Sequence, residues 1–390
     1  MKVVFAFDSF KGCINAETAC EAAVDGWRHG RQEHDLLETR PLADGGEGTA
    51  RSMLACRRGE WVECPVWGPL CESRVSAGYA WFPGEGEALV EMACANGIGL
   101  LEPHQYDALR SSTYGTGELI QSALLRNPRR ILLAVGGSAT VDGGAGAAAA
   151  LGWRFLDHAG APLDQGGGSL QRLLRIQEPG SRPAQMPSME VLCDVDNPLL
   201  GPCGAAAVFG PQKGAGSEGV TVLERGLARL ASLAGSQIGV EMDVPGGGAA
   251  GGLAAGAKAF LGAELTSGIS RIVALSDLDS ELCDADWVVT GEGSLDEQSL
   301  RGKVVTGVLE AASRQGARVA VIAGRIGLTE SQWRAAGISR AMSLSNADTS
   351  AEKAMSRAEE LLSELAGQLA GSVDGSASEG EGPAGFMEME

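Results

Sequence analysis

The hydrophobic and polar positions of this chain switch between short, solid apolar runs and longer stretches of helical period. Val3 to Phe7 is continuously apolar, as in a strand covered on both faces of a parallel sheet. Asn15 then stands where it can cap a helix from Ala16 to about His29, in which apolar positions recur at helical spacing. Leu36 to Leu42 has the pattern of a second strand. Towards the other end, Trp287 to Thr290, Arg318 to Ala323 and Ser339 to Leu344 are further short apolar runs, with a helical stretch between about Lys303 and Gln315. Strand and helix in that alternation predict an α/β fold with a doubly wound sheet assembled in two pieces, one from each chain end.

The middle of the chain differs. Trp61 to Phe82 mixes Trp, Val, Tyr and Pro in runs broken by polar residues, which predicts antiparallel strands. A helix near Gly117 to Leu125, a strand at Ile131 to Val135, an alanine-rich helix from Gly144 to Leu151 and a strand at Val191 to Val195 follow. This pattern suggests an inserted second α/β domain of mixed sheet over 61–274, between two parts of a first domain at 1–60 and 275–369. The default site is the cleft between them. Ala351 to Leu369 reads as one amphipathic helix with Ala354, Ala358, Leu361, Leu362, Leu365 and Leu369 on a single face. Residues 370–390, rich in Gly, Ser and acidic side chains, are expected to be disordered.

Composition narrows the function. A chain of 390 residues exceeds the size at which a single core keeps growing, and 44% hydrophobic residues with 57 Gly suit a folded protein with many tight loops. Lys and Arg number 31 against 50 Asp and Glu, a net charge of −19, which disfavours nucleic acid or an anionic membrane as partner. An anionic substrate must be captured by a few local cations. Nine cysteines without CxxC pairs suggest reduced thiols and a cytoplasmic protein. The first residues are too short an apolar run for a signal, and no run approaches the ~20 residues of a membrane helix.

Chemistry gathers where strands give way to glycine loops, the place where open α/β sheets bind ligands. Asp8-Ser9-Phe-Lys11-Gly12 offers a carboxylate, a hydroxyl and an ammonium after the first strand. Asp44-Gly45-Gly46-Glu47-Gly48 could chelate a cation or bond a polyol, although such turns also occur on plain surfaces. Gly136-Gly137-Ser138-Ala-Thr140 leads towards the alanine-rich helix, where amides and hydroxyls could cradle an anion. Asp194 and Asp196 would project to one side if their strand persists, and one could be a general base; alternatively Asp196 caps a helix starting near Pro198. Lys213 sits in a turn where a lysine is usually solvated. Gly246 to Gly252 lacks side-chain chemistry and suggests close backbone approach. Glu292, Asp296, Gln298 and Lys303 share one further loop of mixed charge.

Together these segments resemble the bacterial glycerate kinases of the type that forms 2-phosphoglycerate. The resemblance is carried by Asp8-Ser-Phe-Lys-Gly, Ala43-Asp-Gly-Gly-Glu-Gly-Thr49, Gly136-Gly-Ser-Ala-Thr140 with Asp142-Gly-Gly, Cys193-Asp-Val with Asn197-Pro-Leu, Phe209-Gly-Pro-Gln-Lys-Gly-Ala215, and Thr290-Gly-Glu-Gly with Asp296, Gln298-Ser-Leu and Gly302-Lys303. They run in family order from residue 1 to about 310. The resemblance implies a two-domain kinase, one domain Rossmann-like, that uses ATP and Mg²⁺ to phosphorylate D-glycerate. It further implies Asp194 as base with Lys213 and Lys303 in the reaction. Asp8, Ser9, Lys11, Asp44, Gly45, Gly46 and Arg301 would meet the substrate, and Gly136, Gly137, Ser138, Thr140, Asn197, Glu292 and Gln298 the nucleotide. Glu292 and Asp296 are the expected metal ligands. Two positions depart from the family pattern, Ser294 in place of a common Arg and Val305 in place of a Pro.

No Walker A loop is present, because the glycine five residues before Gly302 is missing. Gly144-Ala-Gly146-Ala-Ala-Ala149 fits the G-x-G-x-x-A of a dinucleotide fold, but it lies about eight residues past Val135, too far from the strand for the tight turn a pyrophosphate needs. A non-catalytic sugar-acid sensor would need neither paired carboxylates nor spare lysines.

Overall fold

The computed structural model describes residues 1–31, 34–180, 186–300, 302–345 and 351–373. Two sheets organise it. The first is five-stranded and wholly parallel, from β1 (Lys2–Phe7), β2 (Leu36–Thr39), β11 (Trp287–Gly291), β13 (Arg318–Ala323) and β15 (Ile338–Ser343), in the order β15-β13-β11-β1-β2. The second is mixed and comes from the middle of the chain: β3 (Glu60–Trp67), β4 (Arg74–Phe82), β5 (Glu87–Glu91), β6 (Arg130–Ala134), β9 (Ser188–Leu192) and β10 (Glu264–Thr266). Its order is β10-β9-β6-β5-β4-β3, antiparallel from β3 to β5 and parallel from β5 to β10. Four short strands, β7 (Arg154–Leu156) with β8 (Arg175–Gln177) and β12 (Ser294–Leu295) with β14 (Arg325–Ile326), form two small ribbons.

The first sheet is a Rossmann-like, doubly wound layer, and the alternation of side chains along β1 shows why. Val4 and Ala6 enter one apolar cluster with the Val304–Gln315 helix, whereas Val3, Phe5 and Phe7 enter another with the Ala16–Gly30 and Ala358–Ser372 helices. Every residue of β1 past Lys2 is buried because both faces are covered. Asn15 caps the Ala16–Gly30 helix by accepting from the Thr18 amide at 2.8 Å. The first cluster also takes Ala80, Phe82, Leu89, Leu132 and Leu192 from the second sheet, so one apolar layer lies between the two sheets. The far face of the second sheet packs separately, through Tyr79, Trp81, Val90, Leu133 and Val191.

Some sequence expectations need correction. The C-terminal amphipathic stretch is two helices, Ala351–Ser356 and Ala358–Ser372, divided at Arg357. Gly371 and Ser372 belong to the second helix, and 374–390 lie outside the described residues. The strand carrying Asp194 ends at Leu192, so the same-side argument for Asp194 and Asp196 does not apply. No helix begins near Pro198; the next one is Ala205–Phe209. No helix among the described residues is long and apolar enough to cross a membrane, and none of the nine cysteines is in a disulfide.

Candidate functional site

The carboxyl ends of the parallel strands of both sheets open onto one cleft of about 1300 Å³. The loops after β1 and β11 form one wall, the loops after β6 and β9 the other, and Leu42 to Ser52 lines the passage between them. Glycines allow that junction: a Cβ on Gly136 would come within 2.5 Å of the Gly46 Cα, so the loops from the two sheets meet backbone to backbone. The Thr49–Cys56 helix behind the Asp44 loop is capped from the other sheet by buried Glu91, which accepts from the Gly48 amide at 3.1 Å and from the Ala50 amide.

On the first wall, Asp8 is buried at the end of β1. Burial and the nearby charge of Asp44 push its carboxyl up to about 7, although the Ser9 amide donates to it at 2.6 Å. Lys11 Nζ donates to Asp44 Oδ2 at 3.0 Å. Burial opposes the Lys11 charge, but Asp44, Asp8 and Glu292 leave its pKa raised. The second Asp44 oxygen accepts from the Gly46 amide at 3.1 Å. Lys303 Nζ lies 3.7 Å from Glu292 Oε2. Burial raises the Glu292 carboxyl, and its Oε1 is enclosed without a hydrogen-bond partner among the described residues.

On the second wall the decisive group is Lys213. It is only 3% exposed, and its ammonium donates to Ser138 Oγ at 2.6 Å and the Thr140 carbonyl at 2.8 Å. Both acceptors are neutral, and among the described residues Lys213 has no ion-pair partner. Burial pulls its pKa down to about 7, against the attraction of Asp142. Asp142 is itself committed: it accepts from the Thr113 amide and hydroxyl and from the Gly144 and Gly146 amides, which fixes the Gly136–Gly144 loop. Asp194 accepts from Ser267 Oγ at 2.9 Å and from the Gly268 and Ile269 amides at 2.9 and 3.0 Å, so it caps the Gly268–Leu275 helix. Burial nonetheless raises its pKa.

Most of the residues singled out in the sequence line this cleft: Asp8, Ser9 and Lys11; Asp44, Gly45 and Gly46; Gly136, Gly137 and Ser138; Asp194, Asn197 and Lys213; Gln298 and Lys303. Thr140 and Glu292 stand behind the lining, in contact with Lys213 and Lys303. Asp296 turns into its own loop, accepting from the Gln298 and Ser299 amides and the Ser294 hydroxyl. Despite some burial, these donors hold its carboxyl below the usual range. Arg301 lies outside the described residues. At Ser294 the guanidinium of Arg325 donates to Oγ at 3.0 Å, so an arginine does stand beside this loop, on the neighbouring strand. Gly144 and Gly146 are not cleft residues; a Cβ on Gly146 would lie 2.2 Å from Ser112 Oγ, so it serves packing. Gly251 likewise packs on the Thr140 carbonyl.

Sequence reasoning missed three contributors. Glu91 closes an apolar strand run with a lone carboxylate, a signal that was present. The cap at Ser267-Gly268 was legible as a serine ahead of an apolar helical pattern. Val208 offered no signal, since its exposure depends on how the short Ala205–Phe209 helix is placed.

The model of the glycerate kinase family matches residues 3–374. A glycerate kinase of Halalkalibacterium halodurans is 40% identical over 91% of this chain and 93% of its own length. A glycerate 2-kinase of Escherichia coli is 41% identical over 84% of this chain and 86% of its own. A crystal structure described as that of a glycerate kinase 2 from Salmonella typhimurium LT2 superposes with a TM-score of 0.82 at 39% identity, covering 95% of this chain and 97% of that one. With a family match that spans both sheets and every loop of the cleft, the chain belongs to the glycerate kinase family.

Proposed function

We propose that the protein transfers the γ-phosphoryl group of ATP to the 2-hydroxyl of D-glycerate, giving 2-phosphoglycerate and ADP. The observation that carries this reading is Lys213, a buried lysine with no ion-pair partner among the described residues, facing a wall of carboxylates with Lys11 and Lys303 across a cleft large enough for two ligands. A cleft in a chain of net charge −19 needs such local cations to hold phosphate.

In the proposed reaction the glycerate 2-oxygen attacks the γ-phosphorus, the bond from that phosphorus to the β-bridging oxygen breaks, and ADP leaves. Asp194 accepts the hydroxyl proton. Its raised pKa suits a base better than an ordinary exposed carboxylate would, and its three donors hold it in place. Lys213 and Lys303 offset the charge on the transferring group. Lys11 and Asp44 form a pair that can bind the acid's carboxylate and hydroxyl, a role Arg301 would share. The Gly136-Gly137-Ser138 turn and Asn197 face the nucleotide.

No group of three or more His, Cys, Asp or Glu side chains among the described residues is arranged to hold a metal. The donors present still fit Mg²⁺, which takes only one or two protein carboxylates and shares phosphate oxygens. Glu292, whose enclosed Oε1 has no hydrogen-bond partner among the described residues, is the better ligand, because Asp296 turns into its own loop, away from the cleft lining. Bound there, Mg²⁺ would supply positive charge to the β- and γ-phosphates. Unpaired thiols support a cytoplasmic location.

Asp194→Asn tests the base. We expect kcat to fall by about a hundredfold or more, with the thermal transition retained. Turnover within a factor of about three of wild type would remove Asp194 from that role.

A further inference from the structure

The two walls of the cleft differ in chemistry. The first presents Asp8, Ser9, Lys11, Asn15 and Lys303, with half-buried Ile14 as its partly exposed aliphatic side chain. The second presents apolar side chains to solvent: Val195 is 40% exposed and Val208 43%, and both line the cleft together with half-buried Phe209. An exposed valine by itself means little, since protein surfaces are largely apolar. Here the position is informative. Val208 and Phe209 end the Ala205–Phe209 helix, and a single turn, Pro211–Lys213, joins them to the buried lysine, which has no ion-pair partner among the described residues. The Val195 loop is bound to the same region, because Asn197 donates to the Cys203 carbonyl at 2.8 Å and the Ala205 amide to the Leu199 carbonyl at 3.0 Å. An apolar strip thus leads to a cation and a glycine turn.

Glycerate has no surface that would use such a strip, being polar at every carbon. A nucleotide does, with a flat and weakly polar base at one end and a polyanion at the other. We propose that Val195, Val208 and Phe209 form the shelf for the purine base of ATP, with the phosphates directed towards Lys213 and the Gly136–Ser138 turn. The hydroxy acid then occupies the opposite wall, at Lys11 and Asp44. This assignment rests on the kinase reading above and gives it a direction. Burial of the two valines against the base removes apolar surface from water, and contact with the flat ring replaces hydration that the open cleft cannot avoid.

The test is calorimetric titration of the full chain, wild type and the Val195→Ser/Val208→Ser double variant, with ATP and separately with inorganic tripolyphosphate. Both positions are exposed, so the substitutions do not disturb a core. We expect the ATP Kd to rise by about tenfold while the tripolyphosphate Kd changes by less than about twofold, because that ligand has no base. An unchanged ATP Kd would overturn the proposal, and so would an equal weakening of both ligands. Phosphorylation of glycerate, measured on the same preparations, fails independently: shelf-dependent ATP binding without turnover would refute the kinase reading and leave the shelf in place.

Discussion

Lys213 shows how a single side chain changes meaning between sequence and structure. In the sequence it is a lysine in a glycine turn, and such a lysine is ordinarily solvated. Folded, it is enclosed between two neutral oxygens with its pKa drawn down to about 7 by burial. The native state therefore binds fewer protons than the unfolded chain between about 7 and the ordinary lysine value of 10.5, and stability is lost as pH falls through that window. Lys213→Met removes the buried amine. Its melting temperature should exceed wild type by about 3 °C near pH 6, with the gain shrinking as pH rises above 7. A gain independent of pH between 6 and 10, read by differential scanning fluorimetry, would contradict the burial argument. Asp194 makes the opposite point. Its motif marked it, but the three donors from Ser267, Gly268 and Ile269 lie 73 to 75 residues further on, and no local pattern shows such a partner.

At the scale of elements, apolar runs located the three central strands of the first sheet well, because a strand covered on both faces must be apolar throughout. The long Ser217–Ile238 helix escaped notice, although its buried Leu223, Leu227, Leu230 and Leu233 have helical spacing. Its glycines and serines broke up the apolar stripe that the eye follows. What joins the chain ends was also hidden. The Ala16–Gly30 helix lies against the Ala358–Ser372 helix at glycines: a Cβ on Gly26 would meet the Ser363 carbonyl at 1.9 Å, and one on Gly30 the Gly367 carbonyl at 2.0 Å. Neither glycine has a positive φ, so the constraint is close approach rather than backbone conformation. Gly26→Ala should destabilise the protein by about 2 kcal/mol, measured by urea unfolding. Gly235→Ala, in the long helix with open space at its Cβ, is the control and should not destabilise it. Equal effects at the two positions would show that the helices can separate freely.

For the whole molecule, the sequence divided the chain into a domain from both ends and an insertion at 61–274, and we propose that division for the two sheets. It could not show that one apolar layer spans them. Val4, Val288 and Val304 from one side share that layer with Phe82, Leu89 and Leu132 from the other, a contact between residues remote in sequence that no periodicity encodes. Because the layer is shared, calorimetry should show one unfolding transition; two resolved transitions would mean that the sheets fold as separate cores. The same junction brings the carboxyl ends of both sheets to one cleft, and the kinase reading depends on that convergence. Its most direct test is to mix the purified protein with ATP, Mg²⁺ and D-glycerate, follow ADP release and identify the product by phosphorus NMR. A 2-phosphoglycerate resonance appearing in step with ADP is the predicted result; 3-phosphoglycerate, or no phosphorylated acid from folded protein, would contradict it.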